Sequence, residues 1–394
     1  MKVLISADSY KGSMESVEVA ERIKKGVVRV FPDAEFQVVS MADGGEGTVD
    51  SVLARQKGKR VSILVRSPLL ERVDASYGVL EDGTAIMEMA AASGLPLVAS
   101  EKLDVMKATT YGTGEMILDA LDKGCRKIYI GIGGSATNDA GIGMAQALGA
   151  SFRDGKGQEV GIGGGELDKI ETIDLSKMDK RLDETEIVVM CDVTNPLYGI
   201  NGATNIYGRQ KGATEDMIQN LDIGMEHIAD LMCATSGIDA RWEKGAGAAG
   251  GLGWGLVVFT KAKLQSGIES ILELTGFEEK CEWADIVITG EGKIDSQSVC
   301  GKVIDGMAKI TKKHNKPLVA IVGCIDDDYA EIYKAGVNTV EACVARPMDV
   351  EFAMHNTKEY LPNAAERVMR AIGVGLELNV GMVSDKREKI RFVS

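Results

Sequence analysis

The chain is 394 residues long, more than one ordinary core accommodates, which predicts two domains of roughly 150–200 residues each. Hydrophobic residues make up 45% and charged residues 26%, the balance of a globular enzyme. The net charge of −14, from 45 Lys+Arg against 59 Asp+Glu, argues against a nucleic-acid partner, which would call for a basic face.

In chain order, Lys2–Ala7 predicts a buried strand, and Val19, Ala20, Ile23, Val27 and Val30 then recur at helical spacing. Phe36–Ser40 predicts a second strand, followed by the polar segment Met41–Gly47 and a helix from about Thr48. Val73–Leu80 and Thr84–Met89 read as antiparallel strands around the turn Glu81-Asp82-Gly83. A helix is expected near Gly114–Asp122, a strand at Lys127–Ile132 and a helix from about Asn138. Gly155–Gly165 reads as a turn-rich surface segment, and Glu186–Met190 as a strand leading into a long polar loop that reaches Gly212. The opening grammar then returns: strand Ala284–Thr289, polar loop Gly290–Ser298, helix Lys302–His314, strand Leu318–Val322 and a late helix Thr357–Ile372.

Strands alternating with helices predict an α/β fold with a mostly parallel sheet. The beginning and end together read as one Rossmann-like, three-layer domain, residues 1–65 plus 281–376, split by an inserted α/β domain at 66–280. Residues 377–394 are expected to form a peripheral tail. The seven cysteines are dispersed without a C-x-x-C pair, and the three histidines are scattered, a pattern of reduced thiols rather than a zinc site. No apolar run approaches the ~20 residues that span a bilayer, so no membrane partner is expected. Met1 leads directly into the first strand without a signal-peptide pattern, which predicts a cytoplasmic protein.

The 47 glycines, about 12% of the chain against a usual ~7%, cluster in polar loops at strand ends. Ligands of open α/β sheets bind there, where loop amides converge. Asp8-Ser9-Tyr10-Lys11-Gly12-Ser13 ends the first strand; Ser13 alone also reads as a helix N-cap, which leaves Lys11 beside Gly12 unaccounted for. Asp43-Gly44-Gly45-Glu46-Gly47 ends the second, and its two carboxylates suit Mg²⁺, the competing reading being an acidic turn. Gly131-Ile-Gly133-Gly134-Ser135-Ala-Thr137-Asn138-Asp139-Ala-Gly141 is the best phosphate candidate: successive amides at an expected helix start form an anion nest. A tight turn capped by Thr137 or Asn138 would explain one residue of this cluster, not all of it.

Cys191-Asp192-Val-Thr194-Asn195-Pro196 follows another strand, where Asp192 is placed to accept a proton or bind metal. Asn195 before Pro196 is held extended and shapes the turn. Lys211 lies near a helix start, and Gly290-Glu291-Gly292-Lys293-Ile294-Asp295 repeats the pattern, with Lys302 soon after; the competing reading of Lys293 and Lys302 is a solvated surface position, the usual fate of a single lysine. There is no P-loop. The one G-x-G-x-x-G match, Gly245–Gly250, does not follow a strand, so a nicotinamide site is disfavoured against a packing or phosphate-facing glycine run. Loops rich in Asp, Ser/Thr, Gly and Lys without catalytic His or Cys fit phosphoryl transfer, which needs positioning and charge neutralisation.

These loops, with Gln210-Lys211-Gly-Ala-Thr214 and Gly245–Gly253, occur in order over about residues 1–375 and resemble the bacterial glycerate kinase family of type I, which phosphorylates the 2-hydroxyl. The resemblance implies an inserted domain, an active site in an interdomain cleft, and ATP and Mg²⁺ as co-reactants. It also implies conversion of D-glycerate to phosphoglycerate, and it alone favours position 2. Tyr10 stands where phenylalanine is common in the family and Arg209 where proline is expected.

On this reading Asp192 is the base or hydroxyl-orienting residue, with Asp43 and Asp295 the next choices. Gly133, Gly134, Ser135, Thr137 and Asn138 contact phosphate or the substrate carboxylate, joined by Ser9, Gly44, Gly45, Asn195, Lys211 and Gly290. Lys11 and Lys293 neutralise developing charge, and Asp8, Asp43 or Glu46 hold Mg²⁺. Domain closure would exclude water from the transferring group. A kinase of another small hydroxy acid, a nicotinamide-dependent dehydrogenase and a non-catalytic binding protein remain the other readings. Monomer and homodimer are both left open.

Overall fold

The computed structural model describes residues 1–10, 12–39, 48–54, 56–294, 303–326 and 329–382. The chain divides into two compact units, 1–43 with 271–394, and 44–270. Each is an α/β layer structure, as the strand–helix alternation predicts.

The first unit carries a five-stranded sheet in the order Thr339–Ala342, Leu318–Val322, Ile286–Thr289, Lys2–Ile5, Glu35–Val38, every pairing parallel. Counted along the chain this is the doubly wound order 2-1-3-4-5, whose direction reverses between the Lys2–Ile5 and Ile286–Thr289 strands. Val3, Ile5, Ile286, Ile288, Val319 and Ile321 form one core with helix Ser16–Val28 and the long helix Val350–Met382. The alternating residues Leu4, Val287, Leu318 and Ala320 are buried as well, so the sheet is covered on both faces and its strands read as continuous apolar runs.

The second unit carries a six-stranded mixed sheet in the order Lys263–Gln265, Glu186–Met190, Lys127–Gly131, Thr84–Glu88, Arg72–Leu80, Gly58–Arg66. The first four strands run parallel, and the last two add the expected hairpin partner and one strand more. All of Gly58–Arg66 but its last residue lies within the span 1–65 assigned from sequence to the first domain. It pairs along its whole length with Arg72–Leu80 and therefore belongs to the second unit's sheet. Helix Glu215–Ser236 has the start and stop its sequence specifies: the Thr214 side chain accepts from Met217 N, Glu215 and Asp216 occupy the first turn, and Gly237 ends it at φ 73°. The late helix extends to Met382, beyond the expected Ile372 and into the segment read as a tail. Among the described residues no helix is long and apolar enough to cross a membrane.

Candidate functional site

In the first unit, the loops leaving the two central strands meet at the switch point. Ser6 N donates to Ile288 O at 2.8 Å and Asp8 N to Gly290 O at 2.9 Å, so the strand ends are clasped together. The Asp8 carboxylate turns back to accept from Ser9 N at 2.6 Å. Gly290 has no room for a side chain: a Cβ there would lie 2.9 Å from the Tyr10 hydroxyl and closer still to Ile321 O. The same hydroxyl donates to Ile321 O at 2.6 Å, and burial pushes the Tyr10 phenol well above its ordinary pKa, keeping it a neutral donor. Beneath the clasp, Ser6 Oγ and Thr289 Oγ1 are buried with no partner among the described residues.

Ser13 does not cap the following helix, which begins at Ser16 without a side-chain cap; its hydroxyl donates to Met354 O instead. Lys293 lies 2.6 Å from Asp326 Oδ2 in an exposed ion pair. Lys11, Asp43, Gly44, Gly45, Glu46 and Asp295 lie outside the described residues.

In the second unit, two adjacent parallel strands, Lys127–Gly131 and Glu186–Met190, end in the other predicted loops. After Lys127–Gly131 the chain exposes Gly133 and Gly134 and then buries Ser135, Thr137, Asn138 and Asp139. The loop is held from one side by Leu95 N to Gly134 O (2.8 Å) and Ala136 N to Ser93 O (3.0 Å). The N–H groups of Gly133, Gly134 and Ser135 donate to no described residue. Thr137 Oγ1 and Asn138 Oδ1 are likewise without partners there, while Asn138 Nδ2 donates to Thr204 Oγ1 at 2.9 Å.

The helix expected from Asn138 starts four residues later, at Ile142, and has six residues. Asp139 causes the delay. Its buried carboxylate accepts from Thr110 N (2.8 Å), the Thr109 and Thr110 hydroxyls, Gly141 N (3.1 Å) and Gly143 N (3.3 Å). With Ala140 at φ 52° and Gly141 at φ 72°, the backbone becomes helical only beyond them. The free amides of Gly133, Gly134 and Ser135 therefore lie on a loop and not at the start of a helix. Burial raises the Asp139 pKa while these donors pull it down.

Lys211, expected to reach a ligand, is 1% exposed and turned inward. Its Nζ donates to Ser135 Oγ and to Thr137 O, both at 2.7 Å. Burial pushes its ammonium down to about 7, against the favourable charge of Asp139.

The glycine run Gly245–Gly250 is preceded by turns rather than a strand and packs against the same loop. Gly250 sits at φ +66° with its carbonyl accepting from Ala140 N, and a Cβ there would come within 2.6 Å of Asn138 Cα. Gly245 and Gly247 face Cys191 and Pro196 instead, so the run is a packing surface shared by two loops, and it lacks the strand a dinucleotide fingerprint requires.

Asp192 is exposed immediately after its strand. Oδ1 accepts from Gly267 N at 2.9 Å, and Oδ2 has no partner among the described residues. Asn195 uses both ends internally: Nδ2 donates to Asn201 O and Oδ1 accepts from the Tyr207 hydroxyl. It shapes the turn, as expected for a residue before proline. Arg209 makes a bidentate pair with Glu215 at the start of its helix. The described candidates thus form two groups, Asp8, Ser9, Gly290 and Lys293 in one unit, and Gly133–Asn138, Asp192, Asn195 and Lys211 in the other. Asp139, Thr109, Thr110 and Thr204 support the second group and were not singled out by sequence.

Residues 3–373 match the model of the glycerate kinase family. The chain belongs to the glycerate kinase family. It is 45% identical over 377 residues to the glycerate 2-kinase of Escherichia coli K12, covering 95% of this chain and 99% of that protein. It is equally 45% identical over 379 residues to the glycerate kinase of Bacillus subtilis 168, covering 96% and 98%. A crystal structure from Salmonella typhimurium LT2, provisionally assigned as glycerate kinase 2, superposes with a TM-score of 0.80 at 43% identity, covering 96% of this chain and 99% of that one. Family membership therefore extends over both units, including both groups of polar loops.

Proposed function

We propose that this member of the glycerate kinase family transfers the γ-phosphate of ATP to the 2-hydroxyl of D-glycerate, with Mg²⁺. The observation that carries the reading is the run of three N–H groups at Gly133, Gly134 and Ser135 that donate to no described residue. Two of these residues are exposed, so the run is a ready cradle for phosphate or carboxylate oxygens. The 2-hydroxyl follows the printed activity of the E. coli relative.

Asp192 is the general base on this reading. Its free Oδ2 takes the proton of the glycerate hydroxyl as that oxygen bonds to phosphorus and the bond to ADP breaks. Oδ1 stays on Gly267 N, which fixes the carboxylate plane. Among the described residues no group of three metal-ligating side chains occurs. A phosphotransferase Mg²⁺ is commonly held by one or two carboxylates plus the phosphates themselves. Asp8, a hard oxygen donor at the switch point, fits such a role, and Asp43 and Glu46 are proposed to share it. The ion would supply neutralisation of phosphate charge; Lys293 and Lys11 are proposed to add to it.

A coupled assay of ADP release over glycerate, tartronate, glycerol and other hydroxy acids tests the reaction, with phosphorus NMR of the product to locate the phosphate. ADP release dependent on glycerate and a 2-phosphoglycerate signal are expected. Turnover with another acid, or none, would refute the assignment of substrate.

A further inference from the structure

Resting on the reading of Gly133–Ser135 as an anion cradle, we propose that Lys211 is a positioning residue that contacts no ligand and turns the Ser135 hydroxyl into an outward donor for an anionic oxygen. An ammonium group carries only donors, so at 2.7 Å from Nζ the Ser135 oxygen must accept. Its own hydrogen is then available to something else, and no described residue takes it. The hydroxyl belongs to the same three-residue stretch as the free amides of Gly133 and Gly134, so its hydrogen adds a fourth donor to that set. A hydroxyl that accepts from a cation is also polarised into a stronger donor.

The alternative, that Lys211 is there to neutralise Asp139, accounts for less. Asp139 already accepts from Thr109, Thr110, Gly141 and Gly143. The direct contacts of Lys211 are instead the Ser135 hydroxyl and the Thr137 carbonyl, both on the cradle loop. The lysine reaches them from a short turn, Arg209–Lys211, fixed by Lys211 N to Gly208 O. Among the described residues Asp139 is the charged group acting on it, and burial moves the ammonium toward neutrality. Once deprotonated, the amine has a lone pair that competes for the Ser135 hydrogen and turns it inward. The outward donor is then lost.

The test is a double-mutant cycle in the full chain, with KM for glycerate, KM for ATP, kcat and thermal unfolding read for each protein. Ser135→Ala is expected to raise one KM about ten-fold or more, the loss of one hydrogen bond to a charged group. The KM that moves tells carboxylate from phosphate as the source of the anion. In the Lys211→Met background the same Ser135→Ala change is expected to move that KM less than about two-fold. An undiminished effect in that background would overturn the role of Lys211 and leave the cradle standing. If Ser135→Ala moves neither KM in the wild type, the cradle reading itself fails.

Should Lys211→Met not fold, the wild-type pH profile decides. The affected KM rises as pH passes from about 7 to 9 in the wild type and stays flat in Ser135→Ala. Matching profiles in the two proteins would reject the proposal.

Discussion

Lys211 Nζ lies 2.7 Å from Ser135 Oγ, a contact between residues 76 positions apart that is buried at both ends. A lysine in such a place has a thermodynamic signature that does not depend on catalysis. Its folded-state pKa is about 7 against an ordinary 10.5, so between those values the unfolded chain holds a proton that the folded chain has lost. Unfolding there takes up a proton, and stability rises with pH by about 1.4 kcal/mol per unit. Below pH 7 both states are protonated and the full burial cost is present. Buried thiols such as Cys191, pushed up to about 11, act in the opposite direction, so the comparison must be differential. Urea unfolding of wild type and Lys211→Met from pH 7 to 10 should show the wild type gaining stability relative to the variant as pH rises; parallel curves would show that Lys211 stays charged when buried.

Asp139 ties its loop to the start of helix Tyr111–Asp122 through the Thr110 N–H and hydroxyl, and to the start of its own helix through Gly141 N and Gly143 N. Asp139→Ala leaves those buried N–H groups without an acceptor, at roughly 1–3 kcal/mol for each group that water cannot reach. A loss of about 3–5 kcal/mol is expected, within the range for breaking a buried charged network. Thr110→Val removes a hydroxyl and keeps the backbone donor, so it should cost about 1–2 kcal/mol. Thermal and denaturant unfolding check the order, and equal losses from the two variants would contradict it.

Much of the fold was legible because its parallel strands are short apolar runs closed by glycine loops: Lys2–Ile5, Lys127–Gly131, Glu186–Met190 and Leu318–Val322 all lie where the pattern puts them. Gly58–Arg66 escaped because its buried positions are few and three of its exposed ones, Gly58, Ser62 and Leu64, are apolar or small, leaving no clean alternation. The loop at Gly131–Gly141 was identifiable as a unit from its composition. The direction of each side chain within it was not, since a lysine or aspartate beside glycines reads as ligand-facing when nothing shows what packs above it. Lys211 reaches that loop from elsewhere in the chain, at Ser135 Oγ and Thr137 O, and Asp139 turns inward toward donors of Thr110, Gly141 and Gly143. That is a long-range fact with no local sequence signal.

That backbone approach gives a sharp substitution. Gly250→Ala would place a methyl group 2.6 Å from Asn138 Cα, closer still to Thr137 O, at a left-handed φ of +66°. Left-handed strain and overpacking together should cost about 3–5 kcal/mol. Gly83→Ala is the control: its φ is +85°, but nothing lies within 4 Å of the added carbon, so only strain of about 1–2 kcal/mol applies. Comparing the two by thermal unfolding separates strain from collision. A Gly250→Ala loss no larger than that of Gly83→Ala would mean the loop can yield.

Asp192→Asn is the most direct examination of the proposed chemistry because the structure predicts it to be nearly silent in folding. The amide oxygen of asparagine can still accept from Gly267 N, so the cap on helix Gly267–Leu274 survives. What disappears is the basicity of the exposed carboxylate. If Asp192 takes the proton of the substrate hydroxyl, kcat should fall by roughly 10²–10⁴, the usual contribution of a positioned base, with KM for glycerate little changed. An effect confined to KM would recast Asp192 as a binding residue. A kcat close to wild type, with unfolding unchanged, would move the search for the base to Asp43 or Asp295.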